Sequence, residues 1–245
     1  MIKYLDSQIQ KNRLIGTMKK LSTILIGMSA LICGCTNCDT VCPDCTAECE
    51  SQWQSLLGTN LAKAEYDPQV WSVDKDGVLS ATKDQLICTK KDWRNFELEL
   101  EFKLFEGTNS GVVIYMSDKN WIPNSIEIQI ADNNKFPEPR TTCGSVYGLT
   151  NSKIKEPLPL GVWHKMRIVA DGQIINVWVN GQHTTTMDMS KWTELKTNPD
   201  GSTIPPWIAK RKKSEMQTVG KIGLQGKHGK ALINFKNIKI RSLKK

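Results

Sequence analysis

The sequence has 245 residues, of which 39% are hydrophobic and 24% are charged, and its formal net charge at pH 7 is +8. This composition is typical of a globular protein and excludes a wholly disordered or wholly membrane-embedded chain. The length allows one large all-β domain or two small domains. Five basic residues and one acidic residue among the first 35 supply half of the net charge. The small surplus left for the remainder argues against nucleic acid as a partner.

Residues 1–35 have the pattern of an export signal. The basic segment Met18-Lys19-Lys20 precedes an apolar run, residues 21–32, which is too short to span a bilayer comfortably. The end of this run, Ile32-Cys33-Gly34-Cys35, resembles a bacterial lipobox, in which Cys35 would be lipidated and become the new N-terminus. We therefore expect an exported, membrane-anchored lipoprotein, periplasmic or in the outer membrane, with Met18 as the true start. An uncleaved N-terminal anchor is the alternative.

A cysteine-rich tether, residues 36–51, is predicted to follow the signal. Its four cysteines are spaced four, three and four residues apart, which places them on one stripe of a helix: Cys38, Cys42, Cys45 and Cys49. A zinc or iron–sulfur site is conceivable, but the tether lacks a repeated CxxC pair and a nearby histidine. In an oxidising compartment we expect disulfides within the tether or between chains. For Cys88 and Cys143, free thiols and a mutual disulfide both stay open.

Residues 52–245 have the pattern of one all-β domain. Residues 96–104 alternate apolar and charged side chains, whereas residues 111–116 are apolar on both faces, as in a central strand. Two-residue turns of composition Asp-Gly and Asn-Gly divide residues 162–187 into a three-strand meander. About a dozen strands with hardly any helix predict a two-sheet antiparallel β-sandwich. A long irregular stretch, residues 190–218, indicates a functional or mobile loop.

The stretch Ser125–Asp132 combines a buried face with polar groups. Its three isoleucines stand at every second position, so the other face of a strand would carry Glu127 and Gln129. Asp132 would join that face if a one-residue bulge interrupted the strand, and bulges often re-aim a side chain next to an active site. Periodicity alone favours the simpler interpretation, which is a solvated strand face.

Nine short motifs follow one another along residues 52–243. They are Trp71-Ser72-Val73 with Asp76-Gly77-Val78-Leu79, Asn95-Phe96-Glu97-Leu98, Asn109-Ser110-Gly111, Glu127-Ile128-Gln129-Ile130-Ala131-Asp132, Gly144-Ser145-Val146-Tyr147-Gly148-Leu149, Gly161-Val162-Trp163-His164 with Arg167-Ile168-Val169, Val177-Trp178-Val179-Asn180-Gly181, Gly223-Leu224-Gln225 with His228-Gly229, and Phe235-Lys236-Asn237-Ile238-Lys239-Ile240. Together they resemble the bacterial 3-keto-disaccharide hydrolase family. The resemblance implies a concanavalin A-like jelly-roll sandwich, in agreement with the strand pattern.

The resemblance also implies a chemistry. The substrate would be a glycoside, such as an oligosaccharide, whose C3 hydroxyl has already been oxidised to a ketone. The ketone acidifies the hydrogen on C2, so a base can remove it, and the resulting enolate can expel the anomeric group. Water then adds to the double bond, which gives net hydrolysis without the paired carboxylates of ordinary glycosidases.

On this implication, Glu127 or Asp132 is the catalytic base, and His228 is its acid/base partner or a metal ligand. Hydrogen bonds to sugar oxygens and stacking on the ring are assigned to Asn109, Trp121, Gln129, Arg140, Tyr147 and Gln225. No cofactor is required by the pattern, although a divalent cation held by Glu127, Asp132 and His228 is compatible with these ligand types.

Two other functions stay open at this point. The spacing of Glu127, Gln129 and Asp132 is similar to the Glu-x-Asp-x-x-Glu motif of laminarinase-like glucanases. The amide at position 129 argues against their retaining hydrolysis. A non-catalytic carbohydrate-binding surface lipoprotein would also fit a tethered sandwich, because fold does not settle function.

Overall fold

The structure, a computed structural model, describes residues 52–117 and 122–243. The predicted export signal, the lipidation site Cys35 and the cysteine tether lie outside the described residues, as does Trp121, so these stay predictions. Within the described ranges, no helix combines the length and the apolar character needed to cross a membrane.

Thirteen strands account for nearly all regular structure in the described part. In chain order they are β1 (Gln54–Ser55), β2 (Ala64–Glu65), β3 (Trp71–Val73), β4 (Leu79–Ala81), β5 (Leu86–Thr89), β6 (Phe96–Leu104), β7 (Asn109–Met116), β8 (Ile126–Ala131), β9 (Trp163–Asp171), β10 (Ile174–Val179), β11 (Gln182–Asp188), β12 (Lys221–Gln225) and β13 (Ile233–Ser242). The helical segments of that part are short 3-10 turns at Thr59–Leu61, Met189–Lys191 and Lys213–Glu215.

The strands form two antiparallel sheets. The large sheet has the order β11-β10-β9-β6-β13-β4-β3, and β1 also pairs with β13. The small sheet has the order β2-β5-β12-β7-β8. Every strand pairing is antiparallel, which confirms the predicted all-β, two-sheet architecture.

The core lies between the sheets, and the two-residue period of the strands decides which side chains enter it. The apolar side chains of β6 are at most 2% exposed: Phe96, Leu98, Leu100, Phe102 and Leu104. The three isoleucines of β8 are buried in the same apolar cluster. Each such side chain contributes about 1.5–3 kcal/mol when it is fully buried. The inward set therefore fixes the register, and the polar partners of these residues must face outward.

Turn chemistry explains the meander β9-β10-β11. Gly172 between the first two strands has φ +54°, and Asn180 and Gly181 between the next two have φ +50° and +80°. Two successive residues with positive φ are the requirement of a type I′ hairpin turn, which the Asn-Gly pair meets. Of the two interpretations left open for the domain cysteines, the structure shows free thiols at Cys88 and Cys143.

β8 is the last strand of the small sheet, but its outer edge is covered. Residues 144–147 run alongside it and exchange backbone hydrogen bonds: the N–H of Gln129 donates to Ser145 O, that of Gly144 to Gln129 O and that of Tyr147 to Glu127 O, all at 2.9 Å. Covering an edge in this way removes a site for unwanted strand pairing. It also brings Tyr147 beside Glu127.

The outer face of the large sheet is organised around Glu97, which is only 4% exposed. Its Oε1 accepts a 2.5 Å hydrogen bond from Arg167 Nε, and its Oε2 accepts bonds from Arg241 Nε (2.7 Å) and Nη2 (2.5 Å). Burial opposes ionisation of Glu97, but the hydrogen bonds and charges of the two arginines outweigh it and lower its pKa. The ionised carboxylate of Glu97 on β6 therefore links β6 to its two neighbours, β9 and β13.

We expect Glu97→Gln to lower the free energy of unfolding by about 1.5–3 kcal/mol at pH 7, because charged hydrogen bonds are lost in a buried setting. A depressed folded-state pKa contributes stability above the ordinary glutamate pKa and loses it as pH falls through the folded value. The difference from wild type should therefore shrink on acidification, as measured by urea unfolding between pH 7 and pH 3. Glu99→Gln is the matched control, because the Glu99–Lys239 pair is exposed and worth about 1 kcal/mol at most. Equal losses in both variants would contradict this prediction.

Candidate active site

A pocket of about 280 Å³ opens on the outer face of the small sheet. Strands β7, β8 and β12 supply its floor through Asn109, Glu127 and Gln225. Its walls come from the β4–β5 turn, the residues after β12, the β7–β8 connection and two covering loops, one after β8 and one after β11: Asp84, Gln85, His228, Ile122, Tyr147, Trp207 and Ile208. Because the isoleucines of β8 point into the core, the two-residue period leaves Glu127 on the pocket side.

Glu127 is the only carboxyl on the sheet floor of this pocket, and its environment favours the neutral acid. Burial and the nearby negative charge of Asp84 raise the pKa of Glu127 to about 8. Space for its carboxyl exists because the neighbouring strand has a glycine: a Cβ on Gly111 would lie 2.5 Å from Glu127 Oε1. Glu127 is therefore largely protonated at pH 7 and able to donate a proton.

Asp84 and His228 form a second titratable pair at the pocket. His228 Nδ1 lies 2.5 Å from Asp84 Oδ2, and Gln225 Nε2 donates to Asp84 Oδ1 at 3.2 Å. Because a carboxylate only accepts, the proton between the ring and the acid resides on Nδ1, and in the neutral form of this tautomer Nε2 carries a lone pair. The pair is partly exposed, with 51% of the His228 side chain and 42% of the Asp84 side chain accessible.

Backbone packing holds His228 in this position. Gly226 N–H donates to Gln85 O at 2.9 Å, and Lys227 N–H donates to Lys83 O at 3.0 Å. A Cβ on Gly226 would lie 2.4 Å from Lys83 O, so only glycine allows this approach. The chain leaving β12 is thus bound to the β4–β5 turn that carries Asp84.

Gln129 lies behind the pocket and not in it. It is 1% exposed, and its Nε2 donates to Asn109 Oδ1 at 3.1 Å. Its Oε1 has no hydrogen-bond partner among the described residues. With its Oδ1 engaged by Gln129, Asn109 presents its amide N–H₂ to the pocket as a donor. Gln129 therefore orients a pocket residue.

The opposite wall is aromatic and apolar. Burial and the neighbouring Glu127 raise the pKa of Tyr147, while a side-chain hydrogen bond with Trp207 opposes that rise. The indole of Trp207 can only donate, so the Tyr147 oxygen accepts and its own O–H is available to a ligand. Trp207 is 54% exposed and Ile122 is 41% exposed, both at the pocket rim. A polar wall facing an aromatic wall suits a ligand with hydroxyl groups and an apolar ring face.

Comparison with known proteins assigns the chain to a family. The model of the 3-keto-alpha-glucoside-1,2-lyase-like domain matches residues 52–241, which include the whole pocket. The chain belongs to this family. The resemblance inferred from the nine motifs is thereby confirmed. No curated protein matches the sequence.

Solved structures agree with the family assignment. A candidate glycosyl hydrolase from Parabacteroides distasonis ATCC 8503 is 52% identical with a TM-score of 0.76, covering 78% of this chain and 100% of that one. A second candidate glycosyl hydrolase from the same organism is 20% identical with a TM-score of 0.63, covering 84% of this chain and 99% of that one, and it supports the fold alone. The family and the first of these structures support a carbohydrate-active, hydrolase-like function.

The structure brings together five of the predicted site residues. Around the pocket lie Asn109, Glu127, Tyr147, Gln225 and His228. Trp121 lies outside the described residues, and Gln129 supports the pocket from behind. Asp132 and Arg140 have other partners, which are described next.

Asp132 is placed as a loop anchor. The bulge that would have brought Asp132 onto the face of Glu127 is absent, because β7 and β8 pair without a register shift from Asn109–Ala131 to Ile114–Ile126. Asp132 is 2% exposed and accepts hydrogen bonds from the N–H of Gly107 at 2.9 Å and of Asn134 at 3.1 Å. Both oxygens of its carboxylate therefore accept hydrogen bonds from the backbone of turns. Asp132 does not lie on the same sheet face as Glu127.

Arg140 and the predicted cation site also differ from expectation. Arg140 forms an ion pair with Asp200 and donates from Nε to Leu149 O at 3.4 Å, so it joins the two covering loops and does not line the pocket. No group of three His, Cys, Asp or Glu side chains that could hold a metal ion exists within residues 52–117 and 122–243. The set Glu127, Asp132 and His228 therefore does not fit a shared cation.

Sequence reasoning missed Asp84 and Gly111. Asp84 stands 144 residues before His228, in a turn without a local motif, so nothing in the sequence indicated the pair. Gly111 did carry a signal, because a glycine inside an otherwise apolar strand often marks close approach of another group. That group is the Glu127 carboxyl.

We expect Gly111→Ala to push the Glu127 carboxyl off the sheet towards solvent and to return its pKa towards the ordinary glutamate range. The backbone at Gly111 does not have positive φ, so the fold should tolerate alanine. NMR titration of carbon-13-labelled glutamate carboxyls measures the pKa directly. Gly223→Ala is the control, since its new Cβ would meet nothing closer than 3.4 Å. An unchanged pKa in Gly111→Ala would contradict the packing argument.

Proposed function

We propose that this pocket cleaves 3-keto-glycosides by elimination followed by hydration. The observation that carries the proposal is the bonded Asp84–His228 pair in the same pocket as Glu127, whose raised pKa favours the neutral acid. An ordinary glycosidase needs two carboxyl groups that act directly on the sugar. Here the second carboxylate at the pocket binds a histidine, which is the arrangement for general-base catalysis. The family assignment supports the choice of a keto sugar as substrate.

His228 is the base of the first step. Its Nε2 takes the proton from C2 of the sugar, and the electron pair of that C–H bond moves into an enolate whose negative charge rests on the C3 oxygen. Asp84 stabilises the imidazolium that forms, in the way a carboxylate supports a catalytic histidine. The Tyr147 hydroxyl and the Asn109 amide are free to donate to a developing oxyanion in this pocket. Both residues line the pocket.

Glu127 is the acid of the second step. The enolate electrons form the C1–C2 double bond, the C1–O bond breaks, and the leaving oxygen takes the proton of Glu127. Water then adds across the double bond: its oxygen bonds to C1, a proton returns to C2 from the imidazolium, and Glu127 recovers a proton. The sum is one glycoside plus one water giving a free 3-keto sugar and an alcohol. A general acid must hold its proton at the working pH, and the raised pKa of Glu127 meets that requirement.

Trp207 provides the platform for the sugar ring. It is the most exposed large aromatic side chain in the described ranges and stands at the pocket rim. Indole faces stack on the apolar face of a pyranose, while the hydroxyl groups of the sugar meet the polar side chains of Asp84, Gln225 and Asn109. From the sequence, ring stacking was assigned to Trp121 or Tyr147, and the exposure of Trp207 at the rim supports giving it the same role.

The proposal is tested with a 3-keto-glycoside and its unoxidised parent as parallel substrates. Only the keto sugar should be cleaved, and in heavy water its C2 position should exchange deuterium. Glu127→Gln should lower cleavage by at least about 10²-fold and leave exchange at C2, because the base is intact and the leaving-group acid is lost. His228→Gln should abolish both.

Two results would contradict this chemistry, and a third would contradict the assignment of the acid and the base. Equal cleavage of both substrates would indicate a glucanase-like hydrolysis. Binding of the sugar without turnover or exchange would indicate a carbohydrate-binding module. Exchange at C2 that survives His228→Gln and is lost in Glu127→Gln would reverse the acid and base roles. Trp192→Phe, a substitution in the buried part of the covering loop, controls for general destabilisation.

The pH dependence provides an independent measurement. Because Glu127 acts as an acid, kcat/KM should fall on the alkaline side with an apparent pKa of about 8. The negative charge of Asp84 contributes to that raised pKa, so Asp84→Asn should move the alkaline limb to lower pH as well as lower the rate. A rate loss without a shifted limb would show that Asp84 acts only on His228.

A further inference from the structure

A second, wider hollow lies on the face opposite the active-site pocket. It occupies about 1180 Å³ over the outer face of the large sheet and none of the active-site residues lines it. β9, β6 and β13 form its floor, and residues 53–61 with the β3–β4 turn form one side. Its size is that of a site for several sugar rings, whereas the active-site pocket is smaller than a typical small-molecule site.

A single row of residues crosses this hollow at right angles to the strands. Trp178 pairs with Arg167, which pairs with Glu99, which pairs with Lys239, which pairs with Ser55 of β1. Adjacent strands are about 4.8 Å apart, so the row spans roughly 19 Å. The hollow is therefore a trough across the sheet, which we call the large-sheet trough.

An indole stands at each end of the large-sheet trough. The guanidinium of Arg167 lies 4.3 Å from the ring centre of Trp178, and Lys239 Nζ lies 4.6 Å from that of Trp53. Arg241 also packs on Trp53, at 4.8 Å, and the buried Glu97 holds both arginines. The rings are thus fixed in place by cation–π contacts before any ligand arrives, which reduces the entropy lost on binding.

The charges along the large-sheet trough are mixed. Eight charged side chains line it, five cationic and three anionic: Lys75, Lys165, Arg167, Lys236, Lys239, Asp74, Glu99 and Glu101. A hydroxyl group both donates and accepts, so alternating ammonium, guanidinium and carboxylate groups suit a ligand rich in hydroxyls. A polyanion would meet three carboxylates in the same trough. The charge pattern therefore favours a neutral ligand.

We propose that the large-sheet trough binds a neutral polysaccharide chain, with sugar rings packed on Trp53 and Trp178 and hydroxyl groups bound by the charged row between them. The trough would keep the domain on a glycan while the opposite face acts on small glycosides. This proposal stands apart from the 3-keto chemistry, because it uses different residues and a different readout.

The test is native affinity electrophoresis of the domain in the Glu127→Gln background, which prevents turnover. The gels contain soluble β-1,3-glucan, soluble starch, dextran, xylan or galactomannan, and polygalacturonate serves as the anionic probe. At least one neutral polymer should retard the protein. Trp53→Ala with Trp178→Ala should raise the dissociation constant by about tenfold or more, since two ring contacts are lost. Trp207→Ala, at the active-site pocket, should leave retardation unchanged.

Lys165→Glu separates a neutral ligand from an anionic one. It reverses a cation that lines the trough, so it should weaken binding of polygalacturonate strongly and binding of a neutral polymer little. If the double variant has a lower melting temperature, Trp53→Ala alone replaces it, because Trp53 precedes β1 and lies outside the sheet. The proposal is overturned if no neutral polymer retards the protein, if loss of the indoles changes nothing, or if only polygalacturonate binds.

Discussion

The pairing of residues 144–147 with the outer edge of β8 is the contact on which the site depends. Without it, β8 would end the small sheet with unpaired backbone groups, and Glu127 would stand on a solvated strand. With it, Tyr147 is held beside Glu127 by a 2.9 Å backbone hydrogen bond, and the loop behind it covers the sheet. Burial of Glu127, and hence its raised pKa, follows from this cover. The backbone hydrogen bonds between residues 144–147 and β8 thus contribute to the raised pKa of Glu127.

The covering loops are held by polar contacts in addition to packing. Asn198, 3% exposed, donates from Nδ2 to Gly148 O at 3.2 Å and accepts from Trp192 Nε1 at 2.8 Å. Lys213 is 2% exposed, and its Nζ donates to Pro123 O at 3.2 Å and Ile208 O at 3.3 Å. Burial lowers the pKa of Lys213 to about 8. Placing its ammonium group between these carbonyls therefore costs free energy, which the packing of the loop must offset. The long loop of residues 190–218, which was expected to be functional or mobile, therefore forms a wall of the pocket and is held in place by these hydrogen bonds.

The two outer faces of the sandwich use charge in opposite ways. On the large sheet, acids and bases pair in rows, and burial of Glu97 is compensated by two arginines that lower its pKa. On the small sheet, Glu127 is partly buried, no cationic partner is among the causes of its pKa shift, and a second acid raises its pKa further. Paired charges stabilise a surface. An acid without a cationic partner has a raised pKa, so it stays protonated and can donate its proton in a reaction. The fold keeps these two environments on separate faces.

The sequence by itself determined the strands, the hairpin turns, the outward face of Glu127 and the family, because alternation and turn composition act over a few residues. It did not determine which polar groups meet. Asp132 would share a face with Glu127 only if a bulge interrupted the strand, and the regular β7–β8 register places it in a turn instead, while Asp84 reaches His228 across 144 residues. Arg140 looked like a sugar ligand, yet a loop that is distant in sequence supplies Asp200 as its partner. Contacts of this kind, and the pKa values that depend on them, arise only when non-local strand pairing brings loops together.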